Sequence, residues 1–323
     1  MAASAGALRF NTDSLKMELF DGNQWVEIVA TSPDSQTGGA RGVFGGGYTP
    51  FATNVIEYIT ISTTGNAIDF GDLSLTRTSP AASASSTRGL FSGGQVQPTF
   101  VNQNTIDYIT ISSTGSAIDF GDLTRTANAS ASCSSSTRSL NAGGISNTID
   151  YVTIASTGTA QDFGDLTRIV FRFGACASST RGIFGGGYSS PVTATNVIDF
   201  VTISTLGNAS DFGDLLTTRQ ALGSCSNATR GIFAGGYNPS NQNVIEYITI
   251  AALGNTLDFG DLTIARSYAS AASSSTRGIF GGGNTNTIDY VTIMSVGNAI
   301  DFGDLTFTQY CLSNACSNGH GGL

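Results

Sequence analysis

The sequence predicts an all-β protein: a six-bladed β-propeller preceded by a small β module. Three observations predict it. The string FGDL occurs six times, with its Asp at Asp72, Asp122, Asp165, Asp214, Asp261 and Asp304. Each copy belongs to a repeat of 43–50 residues that reads as four short strands, which is the arithmetic of a propeller. No segment carries a 3.6-residue apolar period with helix caps. Composition agrees, with 41 glycines, 6 prolines and only 11% charged residues in 323, too much glycine and too little charge for an ordinary helical protein.

The elements follow in chain order. Residues 1–40 form a separate module and linker, in which LRFNTDSLKMELFDGNQWVEI holds two or three alternating strands around the turn signals NTDS and DGN. It contains the single Trp, Trp25, and the single Lys, Lys16. A piece of this size cannot bury a core of its own. It must pack on the propeller or on another chain, through Leu8, Phe10, Leu19 and Trp25, and self-association is one form this can take.

The propeller spans 41–323. Each repeat opens at an Arg (Arg41, Arg88, Arg138, Arg181, Arg230, Arg277) that begins an apolar strand such as RGIFGGG. Next comes an alternating strand such as NVIEYITI, with an acid before its aromatic: Glu57, Asp107, Asp150, Asp199, Glu246 and Asp289. A tight turn such as STTGN leads into NAIDFGDL, and a stretch of small residues such as ASASCSSSTR completes the unit. If that stretch is the innermost strand of its blade, its small side chains suit the hub where six sheets converge. The first repeat lacks a well-matched inner strand and the last ends with an extra one, Tyr310 to Asn318. Pairing the two closes the ring; the segment 31–40 is a weaker competitor for that place, and an open β-solenoid is the runner-up fold.

Spacing separates scaffold from variable parts. From the acid to the FGDL Asp the distance is 15 in all six repeats, and from that Asp to the next Arg it is 16 in all five cases. From Arg to acid it is 16, 19, 12, 18, 16 and 12, so all length variation sits in one connection per repeat. These connections differ between repeats in content as well as in length. They offer Tyr48, Phe51, Gln97, Phe100, Asn102, Tyr188, Tyr237 and Asn238 as candidate ligand- or partner-binding residues, aromatics and amides without charge.

Catalysis is not expected. Of 23 acids, five precede the propeller, and the other 18 are three positions in each of six repeats. An active site is asymmetric, so it needs one blade that departs from its siblings. Eleven of the 14 cations also occupy repeat positions, including Arg77, Arg125, Arg168, Arg219 and Arg266 after FGDL, with Gln309 at the sixth site. The reading is that each Arg pairs with neighbouring Asp and backbone groups where sheets meet. Six DFG strings without a lysine strand or catalytic loop are not a kinase signature, and the glycine runs lack a following GK[ST]. His320, the single histidine, lies at the chain end and reads as a tail or strand-end residue. Cys133, Cys176 and Cys225 share one repeat position, with Cys311 and Cys316 in the closing strand; no CxxC occurs, and free buried thiols are expected. No catalytic residue, metal site or cofactor is predicted. A net charge of −9 argues against nucleic acid and anionic lipid as partners, and no apolar run reaches membrane-spanning length.

Two resemblances add to this. The diglycine after the apolar strand (Gly46-Gly47 through Gly282-Gly283) and the aromatic after the acid (Tyr58, Tyr108, Tyr151, Tyr247, Tyr290, with Phe200 as the exception) resemble the kelch family of propellers, although Phe replaces that family's fourth-strand Trp in every FGDL. The N-terminal pattern of Leu8, Arg9, Phe10, Asn11, Thr12, Leu19, Phe20, Asp21, Gly22, Trp25 and Glu27 resembles a motif common near the ends of bacteriophage virion proteins. The repeats are similar to those of tail-fibre or accessory virion proteins of marine phages. The resemblance implies a virion structural or adhesion protein, assembled in the host cytoplasm. Its module would dock to tail, baseplate or capsid proteins, and its propeller would bind a host surface glycan or protein, or a neighbouring virion protein. The alternatives are a cellular kelch-type interaction adaptor and, behind it, a carbohydrate-active enzyme.

Overall fold

The computed structural model describes residues 4, 6–11, 16–27, 39–48, 50–189, 193–309 and 314–323. The chain divides into two units, Met1–Thr37 and Gly38–Leu323. Both are built of antiparallel β-sheet, and no helix occurs among the described residues.

The first unit is a three-stranded meander of Leu8–Asn11, Lys16–Phe20 and Trp25–Glu27. Its second turn forms because the Asp21 carboxylate accepts the backbone N–H groups of Asn23 and Gln24. Leu8 lies opposite Leu19 and Leu19 opposite Val26, so these three share a face. Arg9 lies opposite Glu18, with an ion pair of 2.6 Å, and its guanidinium stands 4.2 Å over the Trp25 ring. Of the candidate docking residues, Leu8 and Leu19 lie on one face and Trp25 on the other, against Phe20; the Phe10 side chain lies outside the described residues.

The second unit holds six sheets of four main strands. The first is ordered Asn314–Ser317, Arg41–Gly45, Val55–Thr60, Ile68–Asp72, so the two ends of the repeat array meet in one sheet. The closing strand is shorter than the stretch from Tyr310 to Asn318; residues 310–313 lie outside the described residues, as does most of the competing segment 31–40. The other five sheets begin at Ala81–Ala84, Ala131–Ser134, Gly174–Ala177, Gly223–Ser226 and Ser270–Ser273. In every sheet the second strand reads buried throughout after its Arg, because both of its faces are covered. The third strand alternates, with its acid buried.

Each sheet is bonded to the next, and the sixth to the first, by the same groups. The glycine of each STTGN-type turn donates its N–H to the FGDL Phe carbonyl of the preceding sheet: Gly115 to Phe70, Gly158 to Phe120, Gly207 to Phe163, Gly254 to Phe212, Gly297 to Phe259 and Gly65 to Phe302. This explains the glycine of FGDL. A Cβ at Gly71 would lie 2.5 Å from the Gly115 carbonyl, and φ there is +147°. Nearer the small-residue strands, residues of one first strand pack onto the second strand of the following sheet. A Cβ on Gly89, Gly182, Gly231 or Gly278 would meet Cys316, Cys133, Cys176 or Cys225 at 2.7–3.0 Å, and one on Gly42 would meet Ala272 at 3.3 Å. The third sheet carries Ser139 at this position, and its hydroxyl meets that of Ser83 at 2.6 Å. One cavity of about 50 Å³ is lined by the first strands of all six sheets.

Candidate binding face

The third-strand acids have fixed structural partners. Five of the six third-strand acids are ion-paired to the Arg that follows the preceding sheet's FGDL. The distances are 2.9 Å for Arg77–Asp107, 3.7 Å for Arg125–Asp150, 3.1 Å for Arg168–Asp199 and 2.8 Å for Arg219–Glu246, and Arg266 also bonds Asp289. Where a Ser or Thr directly follows FGDL it donates to the same carboxylate, as Ser74 does to Asp107 and Thr263 to Asp289; in the fourth repeat Leu216 stands there, and Glu246 accepts its backbone N–H and the Thr256 hydroxyl. The expected Arg–Asp pairing thus forms between sheets. It uses the acid before the aromatic rather than the DFGD acids, the first of which is exposed in every repeat. The sixth acid, Glu57, is buried and receives Thr306, while its Oε2 has no hydrogen-bond partner. Burial pushes its pKa above the usual carboxylate value.

The Arg that opens each repeat has a different task. It stacks 4.4–5.0 Å over the aromatic of its own third strand and donates to a carbonyl of the next sheet: Ile111, Ile154, Ile203, Ile250, Ile293 and, from Arg277, Ile61. These arginines are half-buried, and stacking of this kind contributes roughly 0.5–1 kcal/mol per contact. Cys133, Cys176, Cys225 and Cys316 are free and buried, and burial pushes the first, third and fourth up to about 12, so none is a nucleophile. Cys311 lies outside the described residues.

His320 departs from the sequence reading of a trailing residue. It is half-buried against the first strands. Its Nε2 donates to the Ala84 carbonyl at 2.7 Å, and its Nδ1 accepts the Gly322 N–H at 3.0 Å. Both ring nitrogens are used by the neutral form, and burial lowers its pKa. Among the described residues no group of three His, Cys, Asp or Glu is placed to hold a metal ion.

Among the described residues five variable connections bond to the segment that leads into the next sheet, Gly94 to Ala127 among them, and some also pair with the segment that enters their own sheet. Gly47 donates to Arg77, Gly144 to Val170, Gly187 to Arg219 and Gly236 to Arg266, while Thr78 pairs with Gln95 and Gln220 with Tyr237. Loops and entering segments therefore share one side of the unit. Phe51 and Phe100 are exposed, at 77% and 64%, and Tyr237 at 42%. Tyr48 is half-buried and pairs with Ala52; Gln97 is half-buried. Asn102 accepts from the Gln95 amide at 3.1 Å, and the Asn238 amide donates to Thr218. Tyr188 packs its ring 5.0 Å from Phe171 in a small sheet of Val170–Phe171, Tyr188–Ser189 and Thr193–Ala194. Among the described residues no ring contact joins two variable connections, so the candidate residues sit on separate loops around the face.

A second feature of this side lies outside the candidate set. The residue seven places after the FGDL Asp has positive φ in all five described cases: Ser79, Ala129, Arg172, Ala221 and Tyr268. Non-glycine residues hold this conformation at a cost. It lets the entering segments bond to one another: Arg172 donates to Ala129, Ala221 to Arg172 and Tyr268 to Ala221. Together they border a cavity of about 50 Å³. The available sequence signal was that Arg172 is the one propeller cation outside the repeat positions. No family model matches the chain, and a search of curated proteins finds none with a similar sequence.

Proposed function

We propose that the six sheets are the blades of a closed, kelch-like six-bladed propeller, and that the chain is a non-enzymatic structural or adhesion protein of a bacteriophage particle. The propeller reading is supported by the cyclic bonding, in which the turn-glycine bond and the bond from the repeat-opening Arg both recur from the sixth sheet to the first. The observation that carries binding over catalysis is the fate of the acids. Five buried ones are neutralised by arginines in one repeated arrangement, and the first Asp of each DFGD stands in solvent. What differs between blades is the set of variable connections, with their exposed rings and amides. Such a face suits a host surface glycan or protein, or a neighbouring virion protein. The virion assignment rests on the N-terminal sequence pattern, whose module would attach the propeller to tail, baseplate or capsid proteins.

The test has two arms. Mass spectrometry of purified particles from the encoding phage should find the chain. Replacing residues 95–104 by the three-residue ISN of the third repeat should leave thermal stability nearly unchanged, since loop length costs little, while association with host cells or the neighbouring protein falls. Absence from the particle would refute the virion reading; a swap that leaves every association intact would refute the face.

A further inference from the structure

The inference concerns the small cavity at the centre of the variable side, and it rests on the reading of that side as a binding face. Twelve arginines lie in the second unit. Eleven are engaged: six stack on an aromatic and donate to carbonyls of the next sheet, and five pair with buried acids. The twelfth, Arg172, is exposed, and its guanidinium has no hydrogen bond or ion pair among the described residues. It stands between two rings, 5.7 Å from the centroid of Phe171 and 5.6 Å from that of Tyr268. Tyr268 belongs to the segment entering the sixth sheet and Arg172 to that entering the fourth, so the side chain reaches past Ala221 between them. Both rings lie within cation–π reach of the guanidinium, and its N–H donors remain available to a planar anion.

The surroundings select the ligand. Among the described residues the cavity is also lined by Ser79, Ser130 and Asn314, neutral hydroxyl and amide groups, and by no acid. A volume of about 50 Å³ admits a single small group rather than a whole sugar ring. Backbone strain is concentrated at the same place, where five entering segments hold positive φ. We infer that Arg172 and Tyr268 form a carboxylate-binding site for an acidic saccharide: the uronate carboxylate enters the cavity onto the guanidinium, and the sugar face lies on the Tyr268 ring.

Isothermal titration of the full chain with oligogalacturonate, with its carboxyl-reduced neutral counterpart and with an oligoglutamate peptide tests this. Oligogalacturonate should bind, and the other two at least tenfold more weakly. Arg172→Ala should lower oligogalacturonate affinity at least tenfold, and Arg172→Lys should restore only part, because a point charge replaces a planar fork. Ala already occupies the equivalent position at Ala129 and Ala221 with the same backbone conformation, so the variant should fold; its melting temperature checks this. No binding of oligogalacturonate, equal binding of the reduced sugar or of the peptide, or unchanged binding by Arg172→Ala each overturns the inference. The replacement of 95–104 is scored separately on cell or particle association, so loss of the acidic-sugar site leaves the face reading standing or falling on its own result.

Discussion

Gly278 and Cys225 show how the sheets are fitted together. A Cβ at Gly278 would lie 2.8 Å from the Cys225 Sγ of the preceding sheet and 3.2 Å from Val291 Cγ2. An ordinary carbon–carbon contact is about 3.5–4.0 Å, and sulfur is larger, so the overlap with Sγ is about 1 Å. The residue has ordinary backbone φ, and the penalty for Gly278→Ser is therefore steric. Overpacking of a core costs about 1–3 kcal/mol, which in a domain of this size lowers the melting temperature by roughly 2–8 °C. Cys225→Ser alone strands a hydroxyl in a buried site, at a cost of about 1–3 kcal/mol. The double variant recreates a pair the protein already contains, Ser83 against Ser139 at 2.6 Å, with Val152 in the place of Val291. It should recover most of both losses, a coupling of at least about 1 kcal/mol. Denaturant unfolding of the four proteins in a double-mutant cycle measures it. If the double variant loses the sum of the two single losses, the sheets are not packed by this knob and socket.

Three further predictions concern buried titratable groups. Glu57→Gln should stabilise the protein at neutral pH: the raised carboxyl pKa means its stability is full below about 4.5 and lost as pH rises through the folded value, and the amide has no charge to bury. Asp289→Asn, which strands the Arg266 guanidinium, should instead cost about 3–5 kcal/mol, and urea titrations at pH 4 and pH 8 compare the two. For His320 the folded pKa is lowered, so stability is full above its ordinary 6.5 and falls as pH drops below it. His320→Gln should flatten that acid limb, and melting curves from pH 7.5 to 4.5 would contradict the assignment if both proteins fell in parallel.

The strands were legible because the repeat supplies six readings of each, and the invariant spacings of 15 and 16 have a physical cause. The acid must reach the residue after FGDL of one neighbouring sheet, and the FGDL glycine must meet the turn glycine of the other. An inserted residue would break one contact or the other. The choice of acid was not legible, since Glu57, Asp69 and Asp72 recur equally in the sequence; burial separates them, with Glu57 1% exposed and the others in solvent. Nor was the closing offset. Cys316 pairs with Val43 as Cys225 pairs with Ile232, yet it stands twelve residues after its FGDL Asp instead of eleven. The extra residue falls in the last entering segment, the connection that has no following Arg to fix its length.

The same logic locates what is specific to this chain. Contacts that recur six times stabilise the scaffold and cannot discriminate a partner, because an asymmetric ligand meets each of them in six orientations. Discrimination requires a departure from the repeat. The long connections were visible as changes of length. Arg172 and Tyr268 were hidden, because they replace small residues at one repeat position without changing any spacing, and the repeat made that position look like the hub. Their side chains meet only because the intervening Ala221 leaves the space open. A bulky residue at 221 should therefore part the two without touching either, so Ala221→Phe offers a route to the central site that leaves both of its binding groups in place.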